Sequence, residues 1–268
     1  MSLFSSITIG QYYPGNSLVH RLDPRAKLLA VPLLVAAGLL AKGPAGYLAA
    51  GVPVLMALAV SGIPAAAFWR GMRFLWVLLF ISLIFHALSY PGEILWRWGP
   101  LEFSREGLFS GGKVIYRLSV IILAGMLLTM TTTPVLLTGG LEKLLQPFKR
   151  FGLPAHELAM MMTIALRFIP TLLEEAEAVM KAQQARGGSI ASGSAGQRLK
   201  AAVALLVPLL AGSLRRAEDL ATAMEARGYR GDVKRSSFRQ FTYSSWDFAV
   251  LLFVFFSLVM VVMDRWVI

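Results

Sequence analysis

What this chain folds into is constrained first by where its charges are missing. Residues 28–41, 43–69, 74–92, 118–141 and 248–263 contain no Asp, Glu, Lys or Arg. A helix rises 1.5 Å per residue, and the hydrocarbon core of a bilayer is about 30 Å thick. The longer runs therefore read as membrane spans. The first gives only about 21 Å of helix, but Lys27 and Lys42 flank it, and lysines reach the interface from a short span. The run 43–69 carries Pro44, Pro53 and Pro64, so its helix is expected in the middle. Five spans follow. Composition agrees: 56% of residues are hydrophobic and 15% charged, against about 25% charged in an average soluble domain. So little polar surface cannot coat a soluble globule, and the fold class expected is an all-α integral membrane protein. No cleavable leader is expected, since the first 27 residues lack the apolar core of one.

Several chemistries drop out. The chain has no cysteine, which removes thiolate nucleophiles, disulfides, zinc–thiolate and iron–sulfur sites. His20, His86 and His156 lie too far apart for a helical ligand pair, so no metal site is expected. No G-x-x-x-x-G-K-[ST] loop occurs, so any ATP belongs to a partner. The spans hold almost no His, Asp or Glu, which argues against a membrane-embedded enzyme. The net charge of +11 reads as a positive-inside bias rather than nucleic-acid binding. With the N-terminus in the cytoplasm, twenty of the 26 basic residues fall on the inner side. Arg117 is expected to reach the outer surface, and His86 to satisfy itself on a carbonyl. Residues 91–112 read as an outer loop.

Between the fourth and fifth spans lies the unusual segment. The division expected is 1–27 cytoplasmic, 28–141 four spans, 142–243 cytoplasmic or interfacial helices, and 244–268 the last span. Within 142–243, the stretch 201–214 is free of charge but short and interrupted by Pro208, so it is read as a greasy helix face at the membrane surface. The stretch 158–166 is read likewise. Methionines 160–162 offer either an adaptable partner surface or interface packing. Arg167 with Glu174, Glu175 and Glu177 reads as ion pairing on an exposed face rather than catalysis. A Gly/Ser-rich link at 187–196 separates two arms.

The arms end alike. LEEAEAVMKAQQARG at 173–187 and LRRAEDLATAMEARG at 214–228 share seven of fifteen positions at an offset of 41 residues. One Ala-Arg-Gly would be ordinary helix capping, because glycine accepts the left-handed conformation past the last turn and arginine complements the helix dipole. Two copies in one frame point further, since capping does not require the matching alanine and glutamate. Two similar helix tips suit a partner with two similar sockets, such as a two-fold dimer. An arginine flanked by small residues can enter an acidic socket and bond it through two nitrogens.

These tips, with PGNSLVHRLDPRAKLL at 14–29 and ALRFIPTLLEEAEAVMKAQQARG in the first arm, resemble the transmembrane coupling (T) component of energy-coupling factor transporters, of the shared-module type. The resemblance covers nearly the whole chain. It implies a non-catalytic subunit of an ATP-driven importer for vitamins or other micronutrients. Its partners would be two cytosolic ABC ATPases, which hold ATP and magnesium, and a small membrane S component that binds the substrate. Carried over, Ala185, Arg186, Gly187, Ala226, Arg227 and Gly228 would dock on the ATPases. Leu158, Met161, Met162, Leu205 and Leu209 are where the S-component contact is placed. The competing reading is a self-sufficient secondary carrier or channel, which would need buried charges along a pathway.

Overall fold

Asp23 and Pro24 start the first long helix: the Asp23 carboxylate accepts the Arg25 N–H, and Pro24 occupies the first helical turn, where its missing N–H costs nothing. In the computed structural model, which describes residues 12–90, 92–98, 101–186, 194–229 and 241–267, that helix is α2 (Pro24–Leu40), preceded by the short α1 (Leu18–Arg21). There follow α3 (Pro44–Ser61), α4 (Ala65–Ser89), strands β1 (Ile94–Trp98) and β2 (Leu101–Ser104), α5 (Arg105–Thr131) and α6 (Pro134–Leu145). A 3-10 turn (Gln146–Phe151) leads to α7 (Ala155–Ala185) and α8 (Ala195–Ala226), and α9 (Ser245–Val267) closes the chain. The architecture is that of an all-α integral membrane protein with one antiparallel hairpin, β1 against β2.

Two compact units divide the described residues. One holds 12–144 with 241–267, the other 145–229. In the first, α2 sits against α3, α5 and α9. Its inward residues are small or compact, with Ala26, Ala30, Leu34 and Ala37 all buried, and small faces let apolar helices approach closely. The pairing of α4 with α5 is closer still. A methyl group on Gly107 would lie 2.5 Å from the His86 carbonyl oxygen and 2.9 Å from the Ala87 Cα, so only hydrogen fits. Gly111, one turn on, faces Leu83.

Each end of this unit is tied by polar bonds. At one end, buried Asp247 accepts from the backbone N–H groups of Asp23 and Ser244, both at 2.7 Å. Beside it, Lys27 Nζ donates to Thr132 Oγ1 at 2.9 Å and the Thr131 carbonyl at 3.2 Å. At the other end, Asp264 accepts the N–H groups of Gly43 and Gly46, both at 3.0 Å, placing a carboxylate at the positive end of α3.

Three details differ from expectation. Residues 91–112 are not simply a loop: the hairpin fills part of the segment, and α5 begins at Arg105, where the Ser104 hydroxyl accepts the Gly107 N–H. Arg117 has a protein partner that the sequence does not suggest: it donates to the Ala41 carbonyl at the end of α2, a group that has no partner within its own helix. Among the described residues, the helices long and apolar enough to cross a membrane number five: α3, α5, α7, α8 and α9. The arms α7 and α8 qualify because each helix continues through its internal proline, Pro170 or Pro208, which makes its apolar stretch long enough. Helix α2 has 17 residues, and α4 bends by 58° between Arg73 and Leu75. His86 behaves as expected, its Nδ1 on the Ser82 carbonyl at 2.9 Å.

Candidate functional site

The repeated tips lie at two helix ends built the same way. Alanines favour helix up to Ala185 and Ala226, and each following arginine is the C-cap. Arg186 has φ −86° and ψ 9°, Arg227 φ −85° and ψ 9°. Beyond Arg227 the chain turns with Gly228 at φ +71°, a left-handed conformation that glycine adopts without a Cβ penalty. The Gly228 N–H then bonds the Glu225 carbonyl at 2.8 Å, and the Tyr229 N–H bonds that of Met224 at 2.9 Å. This pair of bonds satisfies carbonyls that the helix itself leaves open. Gly187 lies outside the described residues. Ala185, Arg186, Ala226, Arg227 and Gly228 are all exposed.

Helices α7 and α8 pack on one another, and the contact falls on the repeat. Glu175 and Arg216 are 41 residues apart, the same offset that relates the two arm sequences, and they form an ion pair of 2.6 Å. Each is half-buried. Gly212 leaves the room, since a methyl group there would stand 2.7 Å from a Glu175 carboxylate oxygen. Further along, Gln183 Nε2 donates to the Ala204 carbonyl at 3.4 Å. Residue numbers thus rise on α7 as they fall on α8: the two helices run antiparallel where they touch. From Glu175 to Arg186 is eleven residues, as it is from Arg216 to Arg227. At 1.5 Å per residue, each guanidinium stands about 16 Å of helix from the ion pair, in opposite directions. The sequence reading placed Glu175 in a local acidic cluster. The signal for its true partner was the repeat offset itself.

The apolar residues expected at a membrane-partner contact divide. Leu158, Met161 and Met162 are exposed, at 37%, 55% and 43%. Leu205 and Leu209 are half-buried, and the exposed stripe of α8 is Leu199, Val203, Leu206, Val207, Leu210 and Leu214. Its spacing of three and four residues marks one helix face. Among the described residues, no group of three or more His, Asp or Glu gathers as a metal site would require.

A family profile described as cobalt transport protein, CbiQ, matches residues 15–238. The chain is 44% identical over 264 residues to the energy-coupling factor transporter transmembrane protein EcfT of Acidaminococcus fermentans, covering 98% of each. Against the protein of that name from Heliobacterium modesticaldum it is 47% identical, covering 94% of this chain and 95% of the relative. The Bacillus subtilis EcfT is 42% identical, with 93% and 95% covered. The chain belongs to the energy-coupling factor transmembrane-protein family. As a member, it is a multi-pass membrane component of an energy-coupling factor transporter, and the two arms are part of the length it shares with its EcfT relatives. Cobalt appears in the profile's description alone; the names of these relatives carry no substrate.

Proposed function

We propose that this chain is the non-catalytic coupling subunit of its transporter. It links ATP hydrolysis in two cytosolic ABC ATPase subunits to movement of a membrane S component that carries a vitamin or other micronutrient. The observation that carries this reading is the symmetry of the arms. Two arginine tips with the same cap conformation stand equally far from an ion pair between repeat-equivalent residues. A two-fold ATPase dimer presents two equal sockets, and a rigid pair of antiparallel helices delivers one guanidinium to each. Closure of the ATPases on ATP then shifts both tips together. The arms turn about the Glu175–Arg216 contact, and their exposed apolar faces carry the displacement to the S component. ATP and magnesium reside in the ATPases and no cofactor in this chain. The N-terminus faces the cytoplasm, on the side of the ATPases.

The test is charge reversal at both tips, Arg186→Glu with Arg227→Glu, in the chain co-expressed with its ATPases. Each charge-assisted contact is worth about 1.5–3 kcal/mol, so losing two weakens assembly roughly a hundredfold or more. The variant still inserts in the membrane but purifies without ATPases. ATPases retained at the natural level would overturn the docking assignment. Solute transport by the chain alone, without ATP, would replace the whole reading with a secondary carrier.

A further inference from the structure

The bundle holds a cavity that no coupling role uses. It is partly open, has a volume of about 480 Å³, and is lined by α1, α2, α3, α5 and α9. Its walls are apolar: Ala30, Val31 and Leu34 on α2, Met56 and Val60 on α3, Phe253 on α9. Polar groups gather at one end only, where Arg21, Lys27 and Asp247 line it together with Trp246. From Lys27 to Leu34, and from Trp246 to Phe253, the helices advance about 10 Å. Half the hydrocarbon core of a bilayer is about 15 Å. The cavity therefore runs most of one leaflet deep, with its polar end at the N-terminus of α2 and its greasy end toward the membrane centre.

The charges at the polar end do not cancel. Both Asp247 carboxylate oxygens are taken by backbone N–H groups. Lys27 donates only to carbonyl and hydroxyl oxygens of His20, Thr131 and Thr132. Among the described residues, neither Lys27 nor the exposed Arg21 forms an ion pair, leaving two cations against one carboxylate. Nearby, Asp23 is neutralised by Arg25 at 2.9 Å. Trp246 is 64% exposed, in the manner of interfacial tryptophans at headgroup level. Water gains no partners along the walls, whereas an acyl chain fits them.

The geometry points to a binding site for one anionic phospholipid of the leaflet on the N-terminal side. An acyl chain fills the cavity between α3 and α9, and the phosphate meets the exposed Arg21, the cation left over once Asp247 is set against Lys27. This assignment rests on the membrane fold and is independent of the arms.

The test is native mass spectrometry of the purified full chain, after exchange into either phosphatidylglycerol or phosphatidylcholine of matched chain length. One phosphatidylglycerol is expected to remain bound, preferred roughly fivefold over phosphatidylcholine, the factor one near-surface cation supplies. Arg21→Gln, on an exposed short helix, keeps a bound lipid but loses most of that preference. Ala57→Phe, which pushes a ring into the cavity, loses the lipid, while Leu48→Phe on an exposed, non-lining position of α3 keeps it. Equal retention of the two lipids by the natural chain would overturn the proposal. So would retention by Ala57→Phe equal to that of the natural chain. A lipid that leaves whenever a protein partner co-purifies assigns the groove to that partner, and overturns it as well.

Discussion

The bundle and the arms use the same apolar alphabet for opposite purposes. In the bundle, alanines, glycines and valines turn inward: Ala37, Ala50 and Val261 have no exposed surface, and Asp247 is 1% exposed at the end of the packed helices. In the arms, α7 buries only Ala155, Ala159 and Ala176, and no described residue of α8 is buried. Leu199, Leu210 and Leu214 are 65–67% exposed. The bundle is held by its own contacts. The arms hold each other at a few points and keep large apolar faces open, which fits elements whose contacts lie with other molecules or with the membrane surface.

The comparison breaks if bundle substitutions fail to unfold the chain. Gly107→Val has the largest expected effect, because the new side chain meets backbone atoms of α4 that cannot step aside. A loss of about 3 kcal/mol or more follows from overpacking plus separation of α4 and α5. Thermal unfolding in detergent should show a collapsed midpoint or failure to accumulate in the membrane. Asp247→Ala comes next, since it strands two backbone N–H groups at 2.7 Å from the lost carboxylate. About 2–3 kcal/mol is expected, and Asp247→Asn, which keeps one acceptor oxygen, should lose less.

The arms sharpen the contrast. Glu175→Gln should cost only about 1 kcal/mol in stability, as a half-exposed ion pair does, yet it loosens the angle between arms. The chain has no cysteine, so spin labels at Gln184→Cys and Glu225→Cys, two exposed repeat-equivalent positions, report that angle without interference. A narrow distance distribution should broaden in Glu175→Gln and narrow again in the exchange Glu175→Arg with Arg216→Glu. An unchanged distribution would show that the pair does not set the angle. The smallest change in stability belongs to Leu210→Ser on the exposed stripe, below about 0.5 kcal/mol. Its readout is loss of the co-purifying membrane partner, with the melting midpoint unmoved.

Much of this was legible in order of sequence distance. The Asp23–Pro24 helix start, the caps at Arg186 and Arg227 and the apolar helices are local, each set by residues within a turn or two. The Leu205 and Leu209 choice marks the limit: both are leucines in a greasy run, but which side of α8 faces outward depends on α7. The Gly107 and Gly111 spacing is visible as a small-residue pattern, but nothing nearby in the sequence identifies α4 as its partner.

By itself, then, the sequence determined that this is a helical membrane protein, where capped helices such as α2 start, and that it carries two equal arginine tips. Hydropathy, helix caps and repeats act over a few residues and need no knowledge of the fold. Only the tertiary structure decided that Asp247 ties the start of α9 to Asp23, 224 positions away, or that Glu175 meets its own repeat-equivalent in Arg216. Such pairings depend on which helices become neighbours, and that choice is made by packing of the whole bundle or arm pair, where many small apolar faces compete and the closest fit wins.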